Sequence, residues 1–176
     1  MLGENDRQEP VLRQSKEWVL KALREAGSSL VSEFYGLGEE ELRWRPGEGE
    51  WSLKEIAAHA RDAEEVALAQ LRAIVEAAAG PLPAWDVDVL PSERDYQSQD
   101  IEEALAALRS LRWETTFLLW ELTDADWERE ADHPYRGRVT LGELAGELAR
   151  HDLEHLWQVR QVKERLREAV AAADED

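Results

Sequence analysis

A chain of 176 residues can build one domain with a real core but is short for two, so a single domain over residues 1–176 is expected, with residues 1–9 and 171–176 fraying. Its 39 acidic against 21 basic residues give a formal net charge of −18, and no basic run interrupts them, which argues against nucleic-acid partners. No cysteine occurs, so disulfides, thiolate metal sites and a cysteine nucleophile are excluded together, and any thiol chemistry needs a thiol brought from outside.

The first ten residues lack the basic start and apolar core of a secretory signal. The most apolar stretch, Val66 to Ala79, is broken by Gln70, Arg72 and Glu76, so no membrane span is expected and a cytoplasmic protein is the default. From about Pro10 to Phe34 the spacing of Leu12, Val19, Leu23, Ala26, Leu30 and Phe34 predicts an amphipathic helix, with Gly27 a weak point inside it. A turn-rich loop follows, carrying Trp44 and Trp51, which either bury against the end of a bundle or flank a pocket.

Ser52-Leu53-Lys54-Glu55 reads as a capping box that opens a second helix. Its apolar side runs from Leu53 and Ile56 to Leu71 and Ile74, and His59 sits at the edge of that arc. Gly80-Pro81-Leu82-Pro83 ends the helix. Residues 84–99 have no clean period, and Trp85, Asp86, Asp88 and Tyr96 within them are candidate pocket-lining residues, with a short helical turn expected after Pro91-Ser92. Asp100 caps a third helix whose buried stripe is Ile101, Leu105, Leu108, Leu111, Thr115, Leu118 and Leu122. Trp113 and Trp120 fall off that stripe, at its flank or in an interface with another subunit. Residues 131–138 read as a polar loop bearing His133, and Thr140-Leu141-Gly142-Glu143 is a second capping box that starts a helix lasting to about Val170.

On that last helix His151 and His155 are four residues apart, about 40° around the axis, so their imidazoles share a direction. Leu144, Leu148, Val159, Val162 and Leu166 place that direction on the buried side. A lone buried histidine is most often a packed core residue. Two side by side are costly to desolvate unless one partner satisfies both, and a metal ion does so. His59 is the third candidate ligand, with Glu55, Glu147 and Glu154 as outer carboxylates that could orient a ring or move a proton. Trp51, Trp85, Tyr96 and His133 are candidates for contacting a substrate. His151 to His155 also spells H-x-x-E-H, but only 21 residues follow, too few for the downstream acidic ligand of the inverted zinc peptidases.

Four amphipathic helices predict an all-α four-helix bundle, in which cofactor sites form between facing helices. Trp44-Arg45-Pro46, Trp51-Ser52-x-x-Glu55-x-x-x-His59, Asp132-His133-Pro134-x-x-Gly137, Thr140-Leu141-x-Glu143 and His151-x-x-x-His155 follow one another in an order that resembles the DinB-like superfamily. The resemblance implies an up-down-down-up bundle, often a homodimer, with a divalent metal held at the positions of His59, His151 and His155. It also implies chemistry similar to that of metal-dependent thiol transferases or isomerases using bacillithiol or mycothiol, or of metal-dependent hydrolases. The expectation is therefore a divalent ion, Zn or Ni foremost, activating a low-molecular-weight thiol or water against a small electrophilic substrate. A noncatalytic metal-binding, small-ligand or dimerisation module is the alternative.

Overall fold

The computed structural model describes residues 15–84 and 90–174, so Trp85, Asp86 and Asp88 lie outside the described residues. Four long helices carry the fold: α1 (Lys16–Ser32), α3 (Leu53–Val75), α5 (Ile101–Glu121) and α7 (Leu141–Asp174). Short helices α2 (Glu39–Arg43), α4 (Leu90–Glu93) and α6 (Asp124–Trp127) sit in the connections. The starts follow local chemistry. Ser15, Ser52, Asp100 and Thr123 each accept a backbone N–H of the first turn, and Thr140 does the same for Glu143. Glu55 and Glu143 return the bond to the amides of Ser52 and Thr140, both at 2.8 Å, completing the two expected capping boxes. α7 runs on to Asp174, four residues past the end expected at Val170.

Helix direction follows from which ends share a core. Val19 and Leu23 from the start of α1 pack with Leu71 and Ile74 from the end of α3, Leu119 from the end of α5, and Leu141 to Ala149 at the start of α7. A second cluster joins the opposite ends: Leu30 and Phe34, Leu53 to Ala60, Leu105 and Leu108, and Leu156 to Val162. The bundle is therefore up-down-down-up, with α3 against α5 and α7, and α1 against α7 and α5.

A charged layer separates the two apolar clusters. Arg112 on α5 donates to Glu64 of α3 at 2.5 and 3.1 Å, to Asp152 of α7 at 2.5 and 3.0 Å, and to the Leu23 carbonyl of α1 at 2.7 Å. All four helices meet on one guanidinium. Burial alone would lower the Arg112 pKa, but the two carboxylates hold it above its ordinary value. Burial pushes the Asp152 carboxyl up against the pull of Arg112, and the neighbouring Glu64 charge adds a smaller upward push. Gly27 fits this layer by having no side chain, since a Cβ there would collide with Arg112 Nη1.

Residues 131–138 depart from the expected polar loop. β1 (Glu130–His133) and β2 (Gly137–Thr140) form an antiparallel hairpin in which Glu130 faces Thr140 and His133 faces Gly137. Gly137, at φ +75°, takes the left-handed conformation that closes its turn. Strands of four residues, mostly polar or charged, carry too little alternation to be read from periodicity. Tertiary bonds define them instead: the Leu82 amide donates to the Asp132 carbonyl, and the Leu141 amide to that of Arg129. Among the described residues no helix is long and apolar enough to cross a membrane.

Candidate metal centre

His59, seven residues past its N-cap, and His151 and His155, eleven and fifteen past theirs, meet where antiparallel α3 and α7 cross. The Nε2 of His151 lies 3.0 Å from the Nε2 of His59 and 3.0 Å from the Nε2 of His155. One hydrogen on His151 cannot point at both neighbours. A cation satisfies all three lone pairs, and two nitrogens each about 2.0–2.1 Å from one zinc-like ion stand roughly 3–3.4 Å apart. The donor set therefore fits a divalent metal. These three are the group of possible ligand residues that converges among the described residues, and no carboxylate joins them.

Electrostatics keep the rings in the ligating form. Burial lowers His59 to about 4 and His151 to about 3, with the neighbouring imidazoles adding to the effect, and it lowers His155 as well. At neutral pH all three are uncharged with lone pairs free. Gln158, one turn beyond His155, places its Oε1 2.8 Å from His155 Nδ1. The Nδ1–H then donates to Gln158, which leaves Nε2 bare and aimed at the cluster. His59 Nδ1 is buried and has no hydrogen-bond partner among the described residues.

Trp51 closes one side. Its ring centroid lies 4.7 Å from that of His59 and 6.3 Å from that of His155, nearly parallel to the latter at 14°. The loop that carries it is tied down twice. Arg45 donates to Glu55 at 3.0 and 2.6 Å, and Arg165 on α7 donates to Glu50 at 2.6 Å and to the Pro46 carbonyl at 3.1 Å.

The other candidates from the sequence are placed elsewhere. Glu55 is committed to the Ser52 amide and Arg45, which hold its carboxyl below the usual range although burial works to raise it. Glu147 pairs with Arg136 of the hairpin. Glu154 is exposed on α7, where its charge acts to raise His155. Tyr96 does not line an opening: it is buried, and its hydroxyl donates at 2.7 Å to Asp62, which pins the segment after α4 onto α3. His133 stays outside the cluster, with Nδ1 accepting from the Tyr135 amide at 3.3 Å and Nε2 3.4 Å from Gln70 Nε2. Gln158, Arg112 and Glu64 were not singled out from the sequence. Gln158 had a usable signal, a polar side chain one turn beyond a candidate ligand.

The sequence profile of the DinB superfamily matches residues 22–159. The Bacillus subtilis protein YuaE is 23% identical over 166 residues, spanning 85% of this chain and 100% of that protein. The solved structure of YfiT from the same organism, described as "a probable metal-dependent hydrolase with an unusual four-helix bundle topology", superposes with a TM-score of 0.79 at 20% identity, over 94% of this chain and 95% of that one. The structure of a mycothiol-dependent maleylpyruvate isomerase superposes with a TM-score of 0.69 at 12% identity, over 83% of this chain and 61% of that one. At such identities the structural likeness speaks for the fold.

Proposed function

Starting from a chain that belongs to the DinB superfamily, we propose that His59, His151 and His155 hold one divalent cation, zinc or nickel foremost, in a metal-dependent enzyme acting on a small electrophile. The observation that carries this reading is the convergence of three neutral Nε2 atoms around His151, which imidazoles alone cannot satisfy. The chemistry such an ion supplies when bound is Lewis acidity, which brings a thiol or a water to its nucleophilic form near neutral pH. The chain's own residues prepare for it. Burial keeps the imidazoles unprotonated, Gln158 fixes the His155 tautomer, and Trp51 walls off water on one side. Three protein ligands leave coordination positions for reactants. The relative described as a metal-dependent hydrolase supports water as the nucleophile, and the mycothiol-dependent neighbour supports a low-molecular-weight thiol. With no cysteine in the chain, that thiol would be a cosubstrate.

One observation favours a noncatalytic metal-binding module: among the described residues no carboxylate reaches the triad, and Glu55 and Glu147 are both neutralised by arginines. Elemental analysis of the purified chain tests the common premise. About one tightly bound divalent ion per chain is expected, lost on His59→Ala, His151→Ala or His155→Ala with helical content retained. Protein that takes up no ion even after reloading would remove the proposal. Turnover assays across thiol acceptors, esters and amides then divide the readings, since a fully loaded but inert protein is the noncatalytic case.

A further inference from the structure

The His133 ring faces two donors at once. The Tyr135 amide meets its Nδ1 at 3.3 Å, and Gln70 Nε2 stands 3.4 Å from its Nε2. Burial and the Arg136 charge hold the His133 pKa below its ordinary value, so the ring is neutral at pH 7 and has a single acceptor nitrogen. The backbone amide cannot turn away and takes Nδ1. The ring proton then lies on Nε2, facing a second donor. Gln70 cannot relieve this by flipping, because its Nε2 donates at 2.9 Å to the Pro83 carbonyl and a flip would set oxygen against oxygen. Gln70 is 7% exposed, so the conflict is held inside the fold.

Arg136 brings a positive charge to the same turn. Its backbone N–H donates to the His133 carbonyl at 3.3 Å, and its guanidinium donates through Nη1 and Nη2 to Glu147 while carrying further N–H groups. Donors beside a cation call for an anionic oxygen, and nitrogens 3.4 Å apart can both reach one oxygen at ordinary hydrogen-bond length. Asp132 does not supply it, since alternate strand residues face opposite sides and its carboxylate lies 3.9 Å from Arg138. The cluster is also aligned with the metal centre. Gln70 lies eleven residues past His59, about three turns and about 16 Å along the same face of α3. Ala63 and Val66 stand between them on that face, and Glu147 lies one turn before His151 on antiparallel α7.

We propose that Gln70, His133 and Arg136 form a carboxylate subsite, which anchors the far end of an elongated reactant whose other end reaches His59, His151 and His155. The link to that second end rests on the metal reading above; the subsite itself does not.

Two titrations test it. In metal-free chain the Tyr135 amide resonance shifts saturably with pentanoate, at least about tenfold more tightly than with pentanol. Arg136→Leu and Gln70→Leu each weaken pentanoate by about 5- to 20-fold, whereas Glu147→Gln, which releases the guanidinium, tightens it about two- to fivefold. A purely structural ion pair would make the Arg136 and Glu147 changes act alike. In cobalt-loaded chain, read by the cobalt absorption band, the preference for an ω-mercaptoalkanoate over the mercaptoalcohol of equal length peaks where the chain spans about 16 Å, and Arg136→Leu abolishes that peak. Pentanoate that binds no better than pentanol, or that binds more weakly after Glu147→Gln, would overturn the subsite. Carboxylate binding with no length optimum in the loaded chain would overturn its link to the reactant and leave the metal reading standing. A chain that takes up no cobalt would overturn the link and the metal reading together, while the metal-free titration still decides the subsite.

Discussion

At the scale of single residues, protonation decides what the three imidazoles can do. An unfolded chain takes up protons on His59 and His151 near pH 6.5, whereas the folded chain resists until about 4 and about 3 because charge is costly where they sit. Above pH 6.5 neither state binds those protons, so stability has no slope from them. As pH falls below 6.5 only the unfolded state gains protons, and stability declines until the folded values are reached. Metal-free protein is therefore expected to melt at progressively lower temperature between pH 7 and pH 5, and His151→Asn should flatten that dependence. Melting curves in chelator followed by circular dichroism read it, and an unaltered slope in the variant would contradict the burial argument. The same desolvation keeps the lone pairs available at neutral pH.

At the scale of elements, the helices are held in register by a charged layer as well as by apolar packing. Arg112 touches α1, α3 and α7 from its place on α5, and Asp152, one residue from His151, is its partner on the helix that carries two of the three candidate ligands. Removing the guanidinium alone leaves two buried carboxylates unpaired, so Arg112→Met should cost about 3–5 kcal/mol. Replacing all three charges together, as Glu64→Leu, Arg112→Met and Asp152→Leu, should recover most of that loss, because the desolvation penalty disappears with the charges. Urea denaturation of the two variants compares them directly. A triple variant as unstable as the single one would show that the ion cluster itself, not the stranded charges, supports the bundle.

For the whole molecule, a divalent ion held as proposed by His59 of α3 and His151 and His155 of α7 would bind the folded state, with no preformed site in the unfolded one. At a free concentration 100 times its dissociation constant it adds about 2.7 kcal/mol. In a domain of this size each kcal/mol moves the melting temperature by about 2–4 °C. Chelation is therefore expected to lower the midpoint by roughly 5–10 °C, and readdition of zinc or nickel to restore it. Differential scanning calorimetry with and without chelator measures this, and a midpoint indifferent to both would mean that the triad is a metal-free packing feature.

How much of this was legible depended on the range of the interaction. The capping boxes at Ser52 and Thr140 and the four-residue spacing of His151 and His155 are local: helix geometry relates residues three and four apart whatever the rest of the chain does. The amphipathic stripes, the four-helix class, the missing thiols and the acidic balance are likewise properties of the chain as written. Tertiary structure alone decided the remainder. The offset between α3 and α7 brings His59 to His151 across 92 positions. The crossing of four helices makes one glycine, one arginine and two acids a single layer. Two short strands become a hairpin because neighbouring segments anchor it. Each of these contacts joins residues from segments far apart in the chain, and their meeting depends on how whole helices settle against each other, which no period along one helix encodes.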